Sequence, residues 1–287
     1  MQRKRWLGTA LLAASAVAYS SGGFYTRLIE TDAWTMLFWR GLFGGLFLFG
    51  VMAWHEHGRV VQAVRDIGRD GLLIAVCSAV ATACFLNALR LSSVADVLVI
   101  DATIPFMTAG IAWLVIGERE DRVTLLASLA ALAGVVVMAG SAIAGGRWLG
   151  DLLALAMALL MATALVMIRR NPKVSMLPAV GLSAFLCALI VLPWARPLSV
   201  SGSDLLQLAL FGTTQFGIGL LLLSFGTPLV SATRGALIGT LQTPLGVLWV
   251  WLAFSEATAV ATLAGGAIVL AAVICDVVVP RGRKHVT

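Results

Sequence analysis

Polar side chains with hydrogen-bonding groups lie inside otherwise apolar stretches of the sequence, and six of them are candidates for binding a solute. These six are Tyr19, Ser20, Asn87, Asp101, Gln215 and Gln242. Phenol, hydroxyl, carboxyl and amide groups can orient a small polar solute. Such groups also join neighbouring helices in membranes, where one hydrogen bond contributes about 0.6 kcal/mol on average. We predict these six residues as substrate-binding groups, with interhelical hydrogen bonding as the alternative for the five uncharged ones.

Two of the residues inside apolar stretches carry opposite charges, Asp101 and Arg40. A charge in lipid is costly, so an intramembrane ionisable group faces a cavity, a partner or a proton path. Each lies about seven residues from the outer end of its predicted helix, roughly 10 Å deep. The two side chains could therefore form a charge pair, which costs less in lipid than either charge alone. A role in substrate binding or a proton path is the equal alternative.

The elements that position these residues are long apolar runs. Hydrophobic residues make up 60% of the 287-residue chain, charged residues 12%, and the mean hydropathy is +0.97, which excludes an ordinary water-soluble domain. About 20 apolar residues cross a bilayer core as a helix. Ten such runs predict an all-α polytopic membrane protein, with spans at 7–26, 33–54, 71–89, 94–116, 123–143, 151–168, 174–194, 204–224, 231–254 and 257–279.

Lysine and arginine residues predict the orientation of these spans. With the N-terminus in the cytoplasm, fourteen of the 20 lie in cytoplasmic segments and four outside, and Arg40 and Arg234 lie within spans. Cytoplasmic loops carry an excess of Lys and Arg, so both termini are predicted to be cytoplasmic. Contact with anionic lipid headgroups explains the net charge of +6, and no nucleic-acid partner is predicted.

The two halves of the chain resemble one another. Residues 5–8 and 147–150 share the sequence RWLG, and WLVIGE at 113–118 corresponds to WLAFSE at 251–256. Each half contains five predicted spans, so the second enters the membrane from the opposite side and the repeats are inverted. The predicted units are 1–145, 146–280 and a basic cytoplasmic tail, 281–287.

Proline occupies similar positions in the fourth and ninth predicted spans. Pro105 and Pro244 each remove a backbone donor and free a carbonyl group, so both are predicted as hinges. After the fourth span, Glu118 precedes Arg122 by four residues, a spacing that predicts a solvated pair or a helix cap.

The sequence lacks the motifs that are typical of several classes of enzymes and metal sites. The chain has no HExxH, GxSxG or Walker motif, and its Cys and His residues lack metal-ligand spacing. We predict no enzyme activity, catalytic residue, metal or cofactor, and an intramembrane enzyme is the weaker alternative. Oligomeric state is not predicted, although a monomer fits the pattern.

The repeat, the Pro–Glu pattern (Pro105 with Glu118, Pro244 with Glu256) and Phe38-Trp39-Arg40 resemble the EamA-like ten-helix members of the drug/metabolite transporter superfamily. The resemblance implies export or exchange of small metabolites across the bacterial inner membrane through a cavity lined by helices 1, 3, 4, 6, 8 and 9. Within that family the chain looks most like the amino-acid exporters called YddG. The expected function is secondary transport of amino acids, neutral or aromatic ones included, by alternating access. Nucleotide sugars, sugar phosphates and cationic drugs are the alternative substrates.

Overall fold

The structure of the protein, a computed structural model, describes residues 2–55, 62, 65, 68–140, 148–171, 177–255 and 259–279. Within these residues, ten helical stretches are long and apolar enough to cross a membrane. They are Arg3–Leu28, Ala33–Trp54, Gly68–Leu91, Asp96–Ile116, Arg122–Ala139, Trp148–Arg170, Leu177–Trp194, Gly202–Leu229, Ala232–Phe254 and Val260–Val278, called the first to tenth spans below. The predicted all-α polytopic fold is confirmed.

Five of the spans are single α-helices. They are Ala33–His55, Gly68–Leu91, Arg122–Ala139, Trp148–Arg170 and Val260–Val278. The seventh is also one helix, Leu177–Val191, followed by a 3₁₀ turn, Leu192–Trp194. The predicted starts of the seventh and tenth spans and the predicted end of the fifth lie outside the described residues.

The remaining four spans are interrupted away from their ends. The first is divided at Ser21 into Gln2–Ser20 and Gly22–Leu28, the fourth into Val94–Asp101 and Ile104–Ile116, and the ninth into Ala232–Gly239 and Gln242–Phe254. The eighth runs as Gly202–Leu210, a π-helical segment Phe211–Ile218, Gly219–Gly226 and a 3₁₀ turn Thr227–Leu229. These interruptions place non-α backbone inside the membrane-spanning part of the fold.

Span packing follows a two-fold pattern. The third span packs on the sixth as the eighth packs on the first, and the seventh packs on the third as the second packs on the eighth. The second and seventh, the fourth and ninth, and the fifth and tenth pack on one another. Exchanging each span with the one five places along the chain therefore reproduces the contacts, as an inverted five-helix repeat requires.

Matching glycines show the same relation at residue level. A side chain at Gly8 would lie 2.6 Å from Cβ of Leu229, and one at Gly150 would lie 2.7 Å from the backbone carbon of Leu91. The two glycines come from the RWLG sequences, and the two leucines precede the ninth and fourth spans. Both halves thus use glycine to bring two backbones into the same close contact.

The fourth and ninth spans also end alike. Each closes with a left-handed residue, Gly117 at φ 67° and Ser255 at φ 51°. A left-handed residue after the last turn is a common helix termination, and glycine adopts it without the steric cost that serine carries. The predicted boundary at 145/146 and the predicted tail, 281–287, lie outside the described residues and stay predictions.

Buried apolar side chains from both halves form shared clusters. One includes Leu48, Ile74, Val180 and Leu220, from the second, third, seventh and eighth spans. Leucines on the outer surface are largely exposed, such as Leu126 of the fifth span. Apolar side chains that cover the surface in this way require lipid contact, and the shared clusters make the two repeats one folded unit.

Candidate functional site

The interrupted backbone of the first, fourth, eighth and ninth spans is where most of the predicted binding residues lie. Ser20 and Asp101 end the first helical pieces of their spans, Gln242 begins the second piece of the ninth, and Gln215 lies in the π-helical segment. Non-helical backbone at membrane depth occurs where it lines a cavity or is buried in protein. Discontinuous helices near the bilayer midplane are typical of transporter binding sites.

Proline accounts for the interruption of the fourth span. Pro105 has no N–H group to donate to the carbonyl of Asp101, and Thr103 N–H donates instead to Ile100, three residues back (3.0 Å). Proline is well tolerated in the first turn of the following helix. The carbonyl and the carboxyl of Asp101 therefore lie together at the break.

The ninth span breaks in the same way ahead of Pro244. Thr240 N–H donates to Leu237 (3.1 Å), and Pro244 has no donor for the carbonyl of Thr240. Gln242, at the start of the second piece, hydrogen bonds the carboxyl group of Asp101. The structure thus brings together two predicted binding residues from the corresponding spans of the two repeats.

A second polar group joins the first, second and eighth spans. Nε of Arg40 donates to Oε1 of Gln215 (2.9 Å), and Nε2 of Gln215 donates to the backbone carbonyl of Tyr19 (3.1 Å). The guanidinium group lies over the ring of Phe216, 4.1 Å from its centroid, and Phe211 is 5.5 Å away on the same span. Gln215 is buried and both ends of its amide are engaged.

Arg40 and Asp101 have different hydrogen-bond partners in this structure. Arg40 is bound by Gln215, whereas Asp101 is bound by Gln242. Their direct charge pair stays a prediction. What the structure adds is that each charged group is held by a glutamine from the second half of the chain.

Ser20 connects these two groups. Its hydroxyl donates to the carbonyl of Val17 (2.7 Å) and accepts from Nε1 of Trp249 (2.8 Å). Trp249 lies two turns after Gln242 on the same helix. Ser20 thus joins the first span to the ninth, next to the Tyr19 carbonyl that holds Gln215.

The amide of Asn87 has a partner within its own helix. Its Nδ2 donates to the carbonyl of Ala83 (2.8 Å) in the third span. Among the described residues no hydrogen bond links Asn87 to the other predicted binding residues. Its binding role stays a prediction.

The chain is similar to proteins of a known family. The model of the EamA-like transporter family matches the chain twice, over residues 6–140 and 148–277. The chain belongs to the EamA-like transporter family. A solved crystal structure shares the fold of this EamA-like transporter, with a TM-score of 0.82 and 18% sequence identity over 93% of this chain and 96% of that one. No curated protein matches the sequence.

Family membership identifies the chain as a multi-pass membrane transporter of small molecules in the drug/metabolite transporter superfamily. The double match agrees with the inverted repeat. The solved structure supports the fold alone. Resemblance to the amino-acid exporters called YddG stays a prediction.

A buried charge cluster of this EamA-like transporter was not anticipated. Nε of Arg234 lies 2.9 Å from Oδ2 of Asp276, with side-chain exposures of 7% and 0%. Thr124 donates to Oδ1 of Asp276 (2.8 Å), and Nη2 of Arg234 donates to the carbonyl of Asp276 (3.1 Å). The cluster joins the fifth, ninth and tenth spans. An aspartate three residues before the end of an apolar helix was the available signal.

Glu118 has a different partner from the predicted one. The helix ends at Ile116, so Glu118 and Arg122 are not one turn apart on a helix. Glu118 instead pairs with Arg169 at the end of the sixth span (3.3 Å), and Arg169 also donates to the carbonyl of Pro228 (2.5 Å). The solvated pair predicted from sequence spacing is wrong, and the actual contact joins the fourth, sixth and eighth spans.

Asp32, outside the membrane-spanning segments, caps the second span. Its Oδ1 accepts from the N–H groups of Trp34 and Thr35 (3.0 Å each), and its Oδ2 accepts from the Thr35 hydroxyl (2.6 Å). Burial acts to raise the pKa of Asp32, but these hydrogen bonds and the charge of Arg196 outweigh it and lower the pKa. This cap orders the first turn of the helix that carries Arg40.

Proposed function

We propose that this EamA-like transporter exports amino acids across the bacterial inner membrane by alternating access, with both termini in the cytoplasm. The observation that supports it is the pairing of a cation and a carboxylate with separate glutamines where the spans are interrupted: Arg40 with Gln215, and Asp101 with Gln242. An amino acid carries both a carboxylate and an ammonium group. Its two charges complement this arrangement.

The charges of this site fit a phosphate-bearing substrate less well. A nucleotide sugar or sugar phosphate requires a cationic cavity, and two arginines lie within the predicted spans, Arg40 and Arg234. Arg234 is engaged by Asp276, which leaves Arg40 to face a substrate of two or more negative charges. The carboxylate of Asp101 would repel such a substrate. A zwitterion fits the charges better than a phosphate.

Alternating access is supported by the repeat and by contacts at one end of the molecule. Two halves with similar packing and opposite orientation can exchange conformations. At the predicted cytoplasmic end, Arg169 binds Glu118 of the first repeat and the carbonyl of Pro228 in the second (2.5 Å). Separating these groups would open a path between the fourth, sixth and eighth spans towards the cytoplasm.

The breaks at Pro105 and Pro244 supply the hinges of this proposal. The outer half of the fourth span and the cytoplasmic half of the ninth could turn against their other halves without breaking regular α-helical hydrogen bonds, because those bonds are already absent at the breaks. Asp101 and Gln242 lie at these hinges. Rocking would therefore change the binding groups together with access.

Counterflow tests the function directly. Purified protein in liposomes would be loaded with an unlabelled solute, and uptake of the labelled solute measured for a panel of amino acids, quaternary amines and sugar phosphates at two pH values. We expect saturable counterflow of at least one neutral or aromatic amino acid. Absence of counterflow for every amino acid, with activity for a sugar phosphate or a quaternary amine, would refute the proposal.

Exchanging the two charges tests whether Arg40 and Asp101 pair directly. Arg40→Asp and Asp101→Arg would each be inactive, and recovered counterflow in the double variant would support direct pairing during the cycle. An inactive double variant would favour separate roles for the two charges.

Cysteine labelling tests the proposed topology of the two repeats. Single cysteines replacing Gln62 and Ser203, both exposed, would be labelled from one side of sealed vesicles, with the native cysteines replaced. We expect labelling from opposite sides. Labelling of both from the same side would contradict the inverted arrangement.

A further inference from the structure

We propose that Arg40 binds the carboxylate of the substrate and that Gln215 is the residue that positions it. The inference rests on the proposed transport of amino acids and identifies which group of the substrate is recognised at this end of the site. It also gives Gln215 a different role from the direct substrate contact predicted from the sequence.

The guanidinium group has one edge engaged and one edge available. Nε is bound by Gln215, and one face of the group lies over Phe216. The two terminal nitrogens have no hydrogen-bond partner among the described residues, and neither is among their buried polar atoms without a partner. Their N–H groups are therefore accessible, and two parallel N–H donors are the geometry that binds a carboxylate with both oxygens.

The accessible edge belongs to the interior of the molecule. Arg40 contacts the eighth span through Gln215 and Phe216, and Tyr19 and Cys187 of the first and seventh spans are near enough to interact with its charge. An N–H donor that has no partner and faces hydrocarbon costs several kcal/mol of free energy, so these donors do not face the lipid. A guanidinium held among four spans thus presents its free edge to a polar space.

Gln215 is built to orient the guanidinium group. It is buried, its oxygen accepts from Arg40, and its nitrogen donates to the Tyr19 carbonyl (3.1 Å), which prevents the amide from rotating. Glycine keeps the two spans close at this point, since a side chain at Gly212 would lie 2.9 Å from the carbonyl oxygen of Arg40. Each end of the Gln215 amide thus already has a protein partner, which favours a positioning role over a first contact with the substrate.

Competition with matched solutes tests the recognition. Counterflow of labelled phenylalanine would be measured against unlabelled phenylalanine, phenethylamine, which lacks the carboxylate, and 3-phenylpropionate, which lacks the ammonium group. We expect the wild-type protein to prefer phenylalanine over phenethylamine by about 10- to 100-fold, the range that a charge-assisted bidentate contact supports. In Arg40→Met the preference should disappear.

Arg90→Met is the matched control. Arg90 is exposed and its guanidinium lies 5.1 Å from the centroid of the Trp34 ring, so its loss removes one arginine without touching the site. This control should keep the wild-type preference. If Arg40→Met fails to give a monodisperse peak in size-exclusion chromatography, Arg40→Lys keeps the charge without the paired donors and should lower the preference several-fold.

Gln215→Leu tests the positioning role. It should lower the preference for phenylalanine over phenethylamine several-fold, because the guanidinium remains but is no longer held. Combined with Arg40→Lys, which has no Nε for Gln215 to hold, it should cause no further loss of the remaining preference, which a purely structural role would not produce. A second, additive loss in the double variant would overturn the positioning role.

The outcomes separate the two proposals. Wild-type counterflow of phenylalanine with equal competition by phenethylamine, or an unchanged preference in Arg40→Met, would overturn the inference and leave amino-acid transport intact. Absence of counterflow for phenylalanine and for every other amino acid would instead refute the proposed function.

Discussion

Replacing Asp276 with alanine tests the buried ion pair of the fifth, ninth and tenth spans. The carboxylate is fully buried, lies 2.9 Å from Nε of Arg234 and accepts from Thr124. Removing one partner of a buried pair costs about 3–5 kcal/mol, because the other charge stays in a low-dielectric interior. The backbone carbonyls of Asp276 and Val277 still accept from Arg234 (3.1 and 3.4 Å), which places the expected loss near 3 kcal/mol.

That loss corresponds to a lower apparent melting temperature. At about 2–4 °C per kcal/mol, Asp276→Ala should melt roughly 6–12 °C below the wild type. The measurement is thermal unfolding of the detergent-solubilised protein, followed by thiol-reactive dye fluorescence and by the loss of the monodisperse size-exclusion peak. Arg234→Met should be destabilised by a similar amount.

The double variant Arg234→Met with Asp276→Leu distinguishes a paired charge from simple packing. It leaves no buried charge, and such replacements are often neutral or stabilising. It should therefore melt above both single variants. A double variant less stable than each single one, or an Asp276→Ala protein within 2 °C of the wild type, would show that the ion pair is not what stabilises this part of the fold.

Three further predictions concern the stability of the helices. Gly134→Ala should destabilise the protein by about 1–3 kcal/mol in thermal unfolding, because its Cβ would lie 2.7 Å from the carbonyl oxygen of Gly265 on the tenth span. Ser255→Gly should stabilise it by about 0.5–1 kcal/mol, since glycine relieves the left-handed backbone at φ 51°. Asp32→Ala should lower the melting temperature at pH 7, and the difference from the wild type should disappear in acid.

Each of these predictions has a control or a contradicting outcome. Gly110→Ala is the matched control for Gly134→Ala, because nothing lies within 4 Å of its added Cβ, and it should melt at or above the wild type. For Ser255→Gly, a lower melting temperature would contradict the strain argument.

For Asp32, the lowered folded-state pKa means that its stabilisation is present above the usual aspartate pKa of about 3.9 and is lost as pH falls through the folded value. A constant difference between wild type and Asp32→Ala from pH 7 to pH 3 would show that the carboxylate charge is not what stabilises the cap.

Much of the fold could be predicted because it depends on properties that run along the chain. The ten spans follow from the length of the apolar runs, and the second span was predicted at 33–54, the bounds it has in the structure. Pro105 and Pro244 marked the interrupted spans because a missing N–H group breaks a helix wherever it lies. The matching sequences of the two halves indicated the repeat that the family match bears out.

The π-helical segment of the eighth span, like the break at Ser21 in the first, is not marked by a proline. The segment Phe211–Ile218 contains no proline. It contains glycines and polar side chains instead, and these pack against the second span. Its position follows from close contact with another helix. The glycines at 212 and 217 were visible in the sequence, but tight helix packing explains such residues equally well.

The number of spans, their inverted repetition and two of the breaks thus follow from the sequence, because hydrophobic length and missing backbone donors are local properties. Which polar side chains meet depends on the folded arrangement of the helices: Arg40 with Gln215, 175 residues away, Glu118 with Arg169, and Arg234 with Asp276. These helices are apolar on nearly all sides, so no amphipathic stripe reveals how each is rotated. Rotation and packing against neighbouring helices select the partner of each polar group.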